Sequence, residues 1–544
     1  GDVYKRQFEG ISGPNGGAAV TVIGSDDVSI HDNEFRICNN SVLVGWSSNV
    51  SVSNNRLYNV TSKGIEFHNW ETQPPTPSVM RNITVCGNVM EGWPLDPGEV
   101  IPWACGIELW SYSDNISFSD VLVSNNTLTG LYFPDGDKAI SIKSAEACVI
   151  SGNNISAIRG PNAIALEYCN GVSVVDNEIR DVAMSYSARD GRYVGGRGIV
   201  AHCTENLTVS GNTIVDTESW GIQVQGYEIE DANGTVVDIL FAGNITVFGN
   251  EIGHGGYHGF GFGTGFSGIS IEWIRDSVVH NNTLWDMNWF GIFLRYNAPS
   301  LVIENNTIED CSFYGIGSAG LGEPALGPDA ATIRFNTVSS VTNRTEHYGP
   351  LVLPGSGIGL LYSTAALSHN TVEHAGCGLS VTIGSAVDIG HGTFTHCAIG
   401  ASVDSEVQSC IHDSTFTYNN IGINISGSGT AAVTRNTIAS NHVGILIKDE
   451  GNASVHENII EGNKYYGLAS YSTKVINASY NWWGHTTGPY HPTLNPNGRG
   501  DNVTGDVIII PYITISPPPV ADAGPDINTL MCSRFELNGT RSYD

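Results

Sequence analysis

Apolar and polar residues alternate along this chain in one recurring eight-residue phrase, apolar-x-apolar-x-x-Asn-x-apolar. It reads VSIHDNEF at 28–35, VSVSNNRL at 50–57, VLVSNNTL at 121–128, LTVSGNTI at 207–214 and ASVHENII at 453–460, among others. The sixth position marks 33, 55, 88, 126, 153, 177, 212, 250, 282, 306, 336, 370, 392, 414, 436, 458 and 481, and Asn holds every mark except Gly392 and Ser414. From 370 to 458 the interval is always 22 residues, so the longer intervals elsewhere contain insertions. A second phrase follows the first, as in Gly64-Ile65-Glu66-Phe67, Gly106-Ile107-Glu108-Leu109, Gly221-Ile222-Gln223-Val224 and Gly444-Ile445-Leu446-Ile447. Both phrases have the period of two and the Val/Ile content of short strands, and 3.6-residue spacing is absent. Two or three short strands per 22 residues cannot bury a face alone. Stacking each coil on the next in parallel solves this, and the expected fold is all-β: a right-handed single-stranded parallel β-helix of about 17 coils.

Asn at the bend tolerates a left-handed backbone, and its amide can bond its counterparts one coil above and below. Three residues beyond each phrase lies another inward column, filled by Cys38, Cys311 and Cys397 in some coils and by Val60, Leu131, Ile158 and Val182 in others; these cysteines read as small buried hydrophobes. Asn419, Asn441 and Asn463 take over that column in the last coils and are expected to form a second ladder.

These repeats resemble the right-handed parallel β-helix proteins of the NosD-like and carbohydrate-binding/sugar-hydrolase type, a fold shared with pectate lyases and polygalacturonases. The resemblance covers 8–515, with a terminal coil and cap at 477–515 carried by Asn481-Trp482-Trp483-Gly484 and Gly500-Asp501-Asn502-Val503. Residues 1–7 read as a non-native or uninformative leader, and 516–519 as a Pro-rich spacer. Residues 520–544 resemble the opening strands of a PKD-type, immunoglobulin-like β-sandwich; such a sandwich needs about 100 residues, so this one is expected to be truncated and the chain to be a fragment of a longer secreted protein.

Charge narrows the partners. The chain has 24 Lys and Arg against 54 Asp and Glu, a formal net charge of −30, which disfavours nucleic acid and anionic membranes. No window approaches the roughly 18 apolar residues of a membrane span. Eleven scattered cysteines without a C-x-x-C indicate neither a zinc ribbon nor a disulfide framework. Sequons at Asn49, Asn82, Asn206, Asn244, Asn452 and elsewhere point to surface exposure in an exported protein, extracellular or at the cell surface; a monomer is expected.

Nine of the eleven Trp lie between Trp46 and Trp289, where the long insertions also fall, so the N-terminal two-thirds is the elaborated part. Insertions in a repeat protein gather on its binding face, and aromatic rings stack on sugars. Outward positions of the second phrase form two columns, about 4.8 Å per coil. One reads Glu66, Glu108, Ser141, Ala165, Val200, Gln223, Ser270, Phe293; the other reads His68, Trp110, Lys143, Glu167, His202, Gln225, Glu272, Arg295. Adjacent Glu66 and Glu108 should raise one carboxyl's proton affinity, and their spacing suits glycosidic acid/base chemistry. The candidate catalytic residues are Glu66, Glu108, Lys143, Glu167, His202, Glu272 and Arg295; Lys143 and Arg295 would act as base or clamp on a uronate, as in lyases of the resembled fold. His68, Trp110, Gln223, Gln225, Trp70 and Trp103 are the candidate substrate contacts. No cofactor is required, no metal site is assigned, and acidic pairs of this kind also offer oxygen ligands to calcium.

Three readings follow: an adhesin or surface-layer module holding polysaccharide or cell-surface glycan; a polysaccharide lyase, hydrolase or epimerase; and a NosD-like metal-maturation role, disfavoured because His and Cys do not cluster at ligand spacing. His254-x-x-x-His258 lies in a Gly-rich loop, not on a helix, and Gly261–Gly268 mimics a phosphate loop without the following helix.

Overall fold

The computed structural model describes residues 1–515 except 12–16, 61, 70–78, 93–104, 113–114, 133–137, 161, 188–191, 231–235, 257–266, 297–299, 320–328, 343–344 and 349–350. The linker and PKD-type segment at 516–544, together with Trp70, Trp103 and His258, lie outside the described residues. Every regular element is a β-strand. The chain forms two compact units, Gly1–Val302 and Ile303–Asp544.

In the first unit each coil lays one strand on each of three parallel sheets. Val28–His31, Glu34–Arg36 and Asn40–Gly45 form one such coil, and they pair in parallel with Val50–Ser53, Arg56–Tyr58 and Lys63–Asn69 of the next. The first two strands carry the Asn phrase and the third carries the Gly phrase. Inward positions of the third face stack like on like, with Ile65, Ile107, Ile140, Ile164, Ile199, Ile222, Ile269 and Ile292 all fully buried. Burial of each such side chain contributes roughly 1.5–3 kcal/mol before chain entropy is counted. Among the described residues the third face has ten strands in the first unit, Ala18–Ile23 before the first mark and one after each mark from 33 to 282; in the second unit one follows each mark from 306 to 458, ending with Tyr466–Ser472.

Two expectations are corrected. Asp2–Tyr4 pairs with Ser29–His31 and Gln7–Glu9 with Glu34–Arg36, so residues within 1–7 build the first coil and the helix does not start at residue 8. The left-handed residue is the one before each ladder Asn, as at Asp32, Asn54, Asn125, Asp176 and Asn281, or a Gly at 87, 152, 211 and 249. The ladder Asn itself is held by its amide, not by its backbone conformation. In Asn55, Oδ1 accepts from both the backbone N–H (3.0 Å) and Nδ2 (3.0 Å) of Asn33, while Nδ2 donates to the Ile30 carbonyl and to Oδ1 of Asn88. The same pattern runs through Asn126, Asn153, Asn177, Asn212 and Asn250.

The second unit is built alike. Its ladder runs Asn306, Asn336, Asn370, and again Asn436, Asn458, Asn481. At the two exceptional marks, the Ser414 hydroxyl accepts from Gly392 N–H and Ser414 N–H donates to Asn436. The second ladder forms: Asn419 N–H donates to Asn441, and Asn441 to Asn463. Asp501 ends it, accepting from Gly462 N–H, Asn463 N–H and Asn463 Nδ2. Burial pushes the Asp501 carboxyl up to about 6 against these hydrogen bonds. The folded state therefore holds this proton more tightly than the unfolded chain. Stability from this group is full below about pH 4 and is lost as pH rises to about 6, a span of roughly 2–3 kcal/mol. Urea unfolding at stepped pH should show that slope in the wild type and not in Asp501→Asn.

The ten described cysteines are free thiols, and Cys38, Cys311 and Cys397 are buried in the inward column. No helix among the described residues is long and apolar enough to cross a membrane.

Candidate functional site

The third face of the first unit carries the chemistry. Strand register sets Glu66 beside Glu108, Lys143 beside Glu167, Glu167 beside His202, His202 beside Gln225, Gln225 beside Glu272 and Glu272 beside Arg295. Two antiparallel hairpins leave the coils at opposite edges of this face. One, Met184–Ser187 with Arg192–Gly195, precedes strand Arg197–His202; the other, Tyr227–Glu230 with Val236–Leu240, follows strand Ile222–Gln225. Outward residues between them are nonetheless buried, including Val200 and Gln223.

The seven proposed catalytic residues do not converge. They extend over eight coils, about 34 Å, and separate into three groups. In the first, Lys63 stands between the two glutamates: Nζ lies 3.1 Å from Glu66 Oε1 and also contacts Glu108 Oε2. His68 Nδ1 is 3.0 Å from Glu66 Oε1, and His68, Trp110 and Tyr112 pack edge to face, with Tyr112 60% exposed. Burial pushes the Glu66 carboxyl up, but the His68 hydrogen bond and the Lys63 charge outweigh it and hold the group below its ordinary range. The expected rise in proton affinity is therefore reversed at Glu66. The Lys63 ammonium occupies the space between the two acids.

In the second group Lys138 Nζ is 2.9 Å from Glu167 Oε1. Burial raises the Glu167 carboxyl and lowers the Lys138 ammonium, but their mutual attraction wins in both, so both stay charged. Lys143 lies 5.4 Å over the Tyr168 ring and Arg197 lies 4.6 Å over Trp220. Burial, then the Arg197 charge, drives His202 down to about 4, so its ring is neutral at neutral pH, and Nε2 has no hydrogen-bond partner among the described residues.

In the third group Glu272 Oε1 accepts from the Ser270 hydroxyl (2.9 Å), and Gln223 Nε2 donates to Gln225 Oε1 (3.1 Å) and Glu272 (3.5 Å). Arg295 Nη1 is 3.5 Å from Glu272 Oε2, and its guanidinium lies 5.5 Å from Trp273 and 5.2 Å from Tyr296, two parallel rings.

Lys63, Lys138 and Arg197 were not anticipated. Each precedes the recurrent small residue of the second phrase (Gly64, Ala139, Gly198), and register joins Lys63 to Cys105 and Lys138 to Arg197 through Asn162. That file was legible as one more column. Trp273 and Tyr296 sit past the strand ends, where period-two reading stops. In the second unit one outward column, Gly317–Gly359–Ser380–Ser402, is small and uncharged. The paired histidines there stack as His369 on His391 and His374 on His396, and His254, in the first unit, pairs with Asp286. No three His, Cys, Asp or Glu side chains among the described residues gather to hold a metal ion.

Three parallel sheets per unit, an internal Asn ladder and a polar outer face define a parallel β-helix. The chain belongs to the right-handed β-helix family, which matches residues 104–228, 217–338 and 325–482. No curated protein matches it significantly. Solved structures similar to it include alginate lyase from Paenibacillus sp. str. FPU-7, at 12% identity and TM-score 0.29, covering 69% of this chain and 94% of that one. DFA-IIIase from Arthrobacter chlorophenolicus A6 in complex with GF2 shares 13% identity at TM-score 0.35, over 66% and 84% of the two chains. A tailspike protein of E. coli bacteriophage HK620 in complex with hexasaccharide shares 11% at TM-score 0.35, over 71% and 69%. These likenesses are too distant to carry an argument about substrate.

Proposed function

We propose that this is an exported, extracellular or cell-surface β-helix protein that holds an acidic polysaccharide along the third face of its first unit, as an adhesin or surface-layer module. The observation that carries the reading is a row of five cations, Lys63, Lys138, Lys143, Arg197 and Arg295, set among four acids, Glu66, Glu108, Glu167 and Glu272, on one face of a chain whose net charge is −30. Rings adjoin three of these cations, so a sugar finds both charge and an apolar plane. A stack of parallel coils also offers the same contacts at fixed steps, which suits an extended polymer.

Titration calorimetry with a polyuronate tests it. Losing two charge-assisted contacts at about 1.5–3 kcal/mol each, Lys143→Ala/Arg197→Ala should bind about 100-fold or more weakly, and wild-type affinity should fall with added salt. Unchanged affinity in the double variant overturns the reading.

Catalysis is a second reading, favoured by one group. Neutral His202, with an unpartnered Nε2 beside Arg197 and Glu167, has the protonation state of a general base. Release of reducing ends or unsaturated uronate by the wild type, lost in His202→Ala with binding retained, would establish an enzyme; binding without either product leaves a binding protein.

A further inference from the structure

Buried polar atoms without partners gather on this face. Gln223 is 3% exposed and its Oε1 has no partner among the described residues; Trp273 is 4% exposed and its Nε1–H has none; Arg295 Nε–H has none. The Gln223 amide cannot be turned round to cure this, because its Nε2 faces the Glu272 carboxylate, which only accepts. An unsatisfied buried polar group costs on the order of 1–3 kcal/mol, and three on residues linked through Glu272 and the Arg295–Trp273 contact point to a partner that arrives from outside.

The local charges say which kind. Among the described residues, the floor around His202 carries Lys138, Lys143 and Arg197 together with Glu167, cations suited to a carboxylate on the ligand. Around Gln223, among the described residues, the Arg295 guanidinium faces the Glu272 carboxylate, so a second carboxylate would meet a cation already paired. What remains there is an acceptor (Gln223 Oε1), donors (Trp273 Nε1–H and Arg295 Nε–H) and carbon surface, since Gln223 stands in register between Val200 and Ser270, and Ser270 beside Phe293. An N-acyl substituent presents the complement in one group: an N–H for Gln223, a carbonyl for Trp273 or Arg295, and a methyl for Val200 or Phe293.

Resting on the glycan-binding reading above, we propose that the stretch Gln223–Glu272–Trp273–Arg295 is a subsite for an N-acylated amino sugar, adjoining an acidic-sugar subsite at Lys138–Glu167–His202. The preferred ligand is then a heteropolysaccharide containing both uronate and N-acylhexosamine, and not a homopolyuronate. From Glu167 to Glu272 register counts three coils, about 14 Å, so the two substituents belong to different sugars of one chain.

The test is calorimetry on the full chain with three probes of matched length: hyaluronan, which alternates uronate with N-acetylhexosamine; polygalacturonate; and chito-oligosaccharide, which is uncharged and N-acetylated. Hyaluronan should bind about ten-fold or more tightly than either of the others. Gln223→Leu and Trp273→Phe should each bring the hyaluronan-to-polygalacturonate ratio toward one, the loss falling mainly on hyaluronan. Trp273→Phe keeps a ring against Tyr296, so it remains informative if Gln223→Leu fails to fold. Polygalacturonate binding as tightly as hyaluronan, or a Trp273→Phe loss equal for both polymers, overturns the subsite while sparing the general reading. Binding of none of the three removes both.

Discussion

Replacing Asn212 with alanine should be among the most damaging single changes in the molecule, at roughly 4 kcal/mol. Asn212 is fully buried, and its Oδ1 accepts from the backbone N–H and the Nδ2 of Asn177, while its Nδ2 donates to the Val174 carbonyl and to Asn250. Alanine leaves the Asn177 N–H and the Val174 carbonyl buried and unmet, each at about 1–3 kcal/mol, and opens a small cavity besides. Asn212→Ser should lose about half as much, because a hydroxyl already fills this place at Ser414, accepting the backbone N–H of the preceding coil. Urea unfolding of the three proteins checks the order. Equal stabilities for wild type and Asn212→Ala would mean that the ladder only fills space.

The second large effect concerns Lys63→Met. Removing this ammonium leaves Glu66 and Glu108 facing each other with little solvent, since their side chains are 7% and 14% exposed. Breaking a buried ion pair from one side costs about 3–5 kcal/mol. The pH dependence should also change sign. In the wild type the Glu66 carboxyl lies below its ordinary range, so its contribution is present above the unfolded-state pKa and is lost as pH falls through the folded value. In the variant, like charge and burial raise the carboxyls, so the folded state takes up protons first and gains stability as pH falls from neutrality toward about 4. Lys63→Met/Glu66→Gln/Glu108→Gln should recover most of the loss at neutral pH. A variant that keeps the wild-type slope would show that the lysine does not govern these acids.

Both effects rest on features of different legibility. The ladder positions, the outward columns and the Cys-filled inward column follow from the periodicity, because parallel stacking converts a sequence interval into a neighbour about 4.8 Å away. The left-handed residue was placed one position late, since Asn suits both a turn and a ladder and composition does not separate the two roles. The glutamate couple was paired correctly and given the wrong electrostatics: Lys63 lies three residues before Glu66, and whether its flexible stem reaches both carboxylates depends on the side-chain conformation it adopts.

The sequence by itself determined the coil count, the register and which side chains share a file, because these are consequences of a repeat that must bury the same face in every turn. Tertiary structure alone decided which charges neutralise one another, that His202 is neutral, and that Gln223 and Trp273 keep buried polar atoms without partners among the described residues. Those properties depend on a few ångströms of side-chain reach and on exclusion of water by packing around the face, neither of which is encoded in the interval between one Asn and the next.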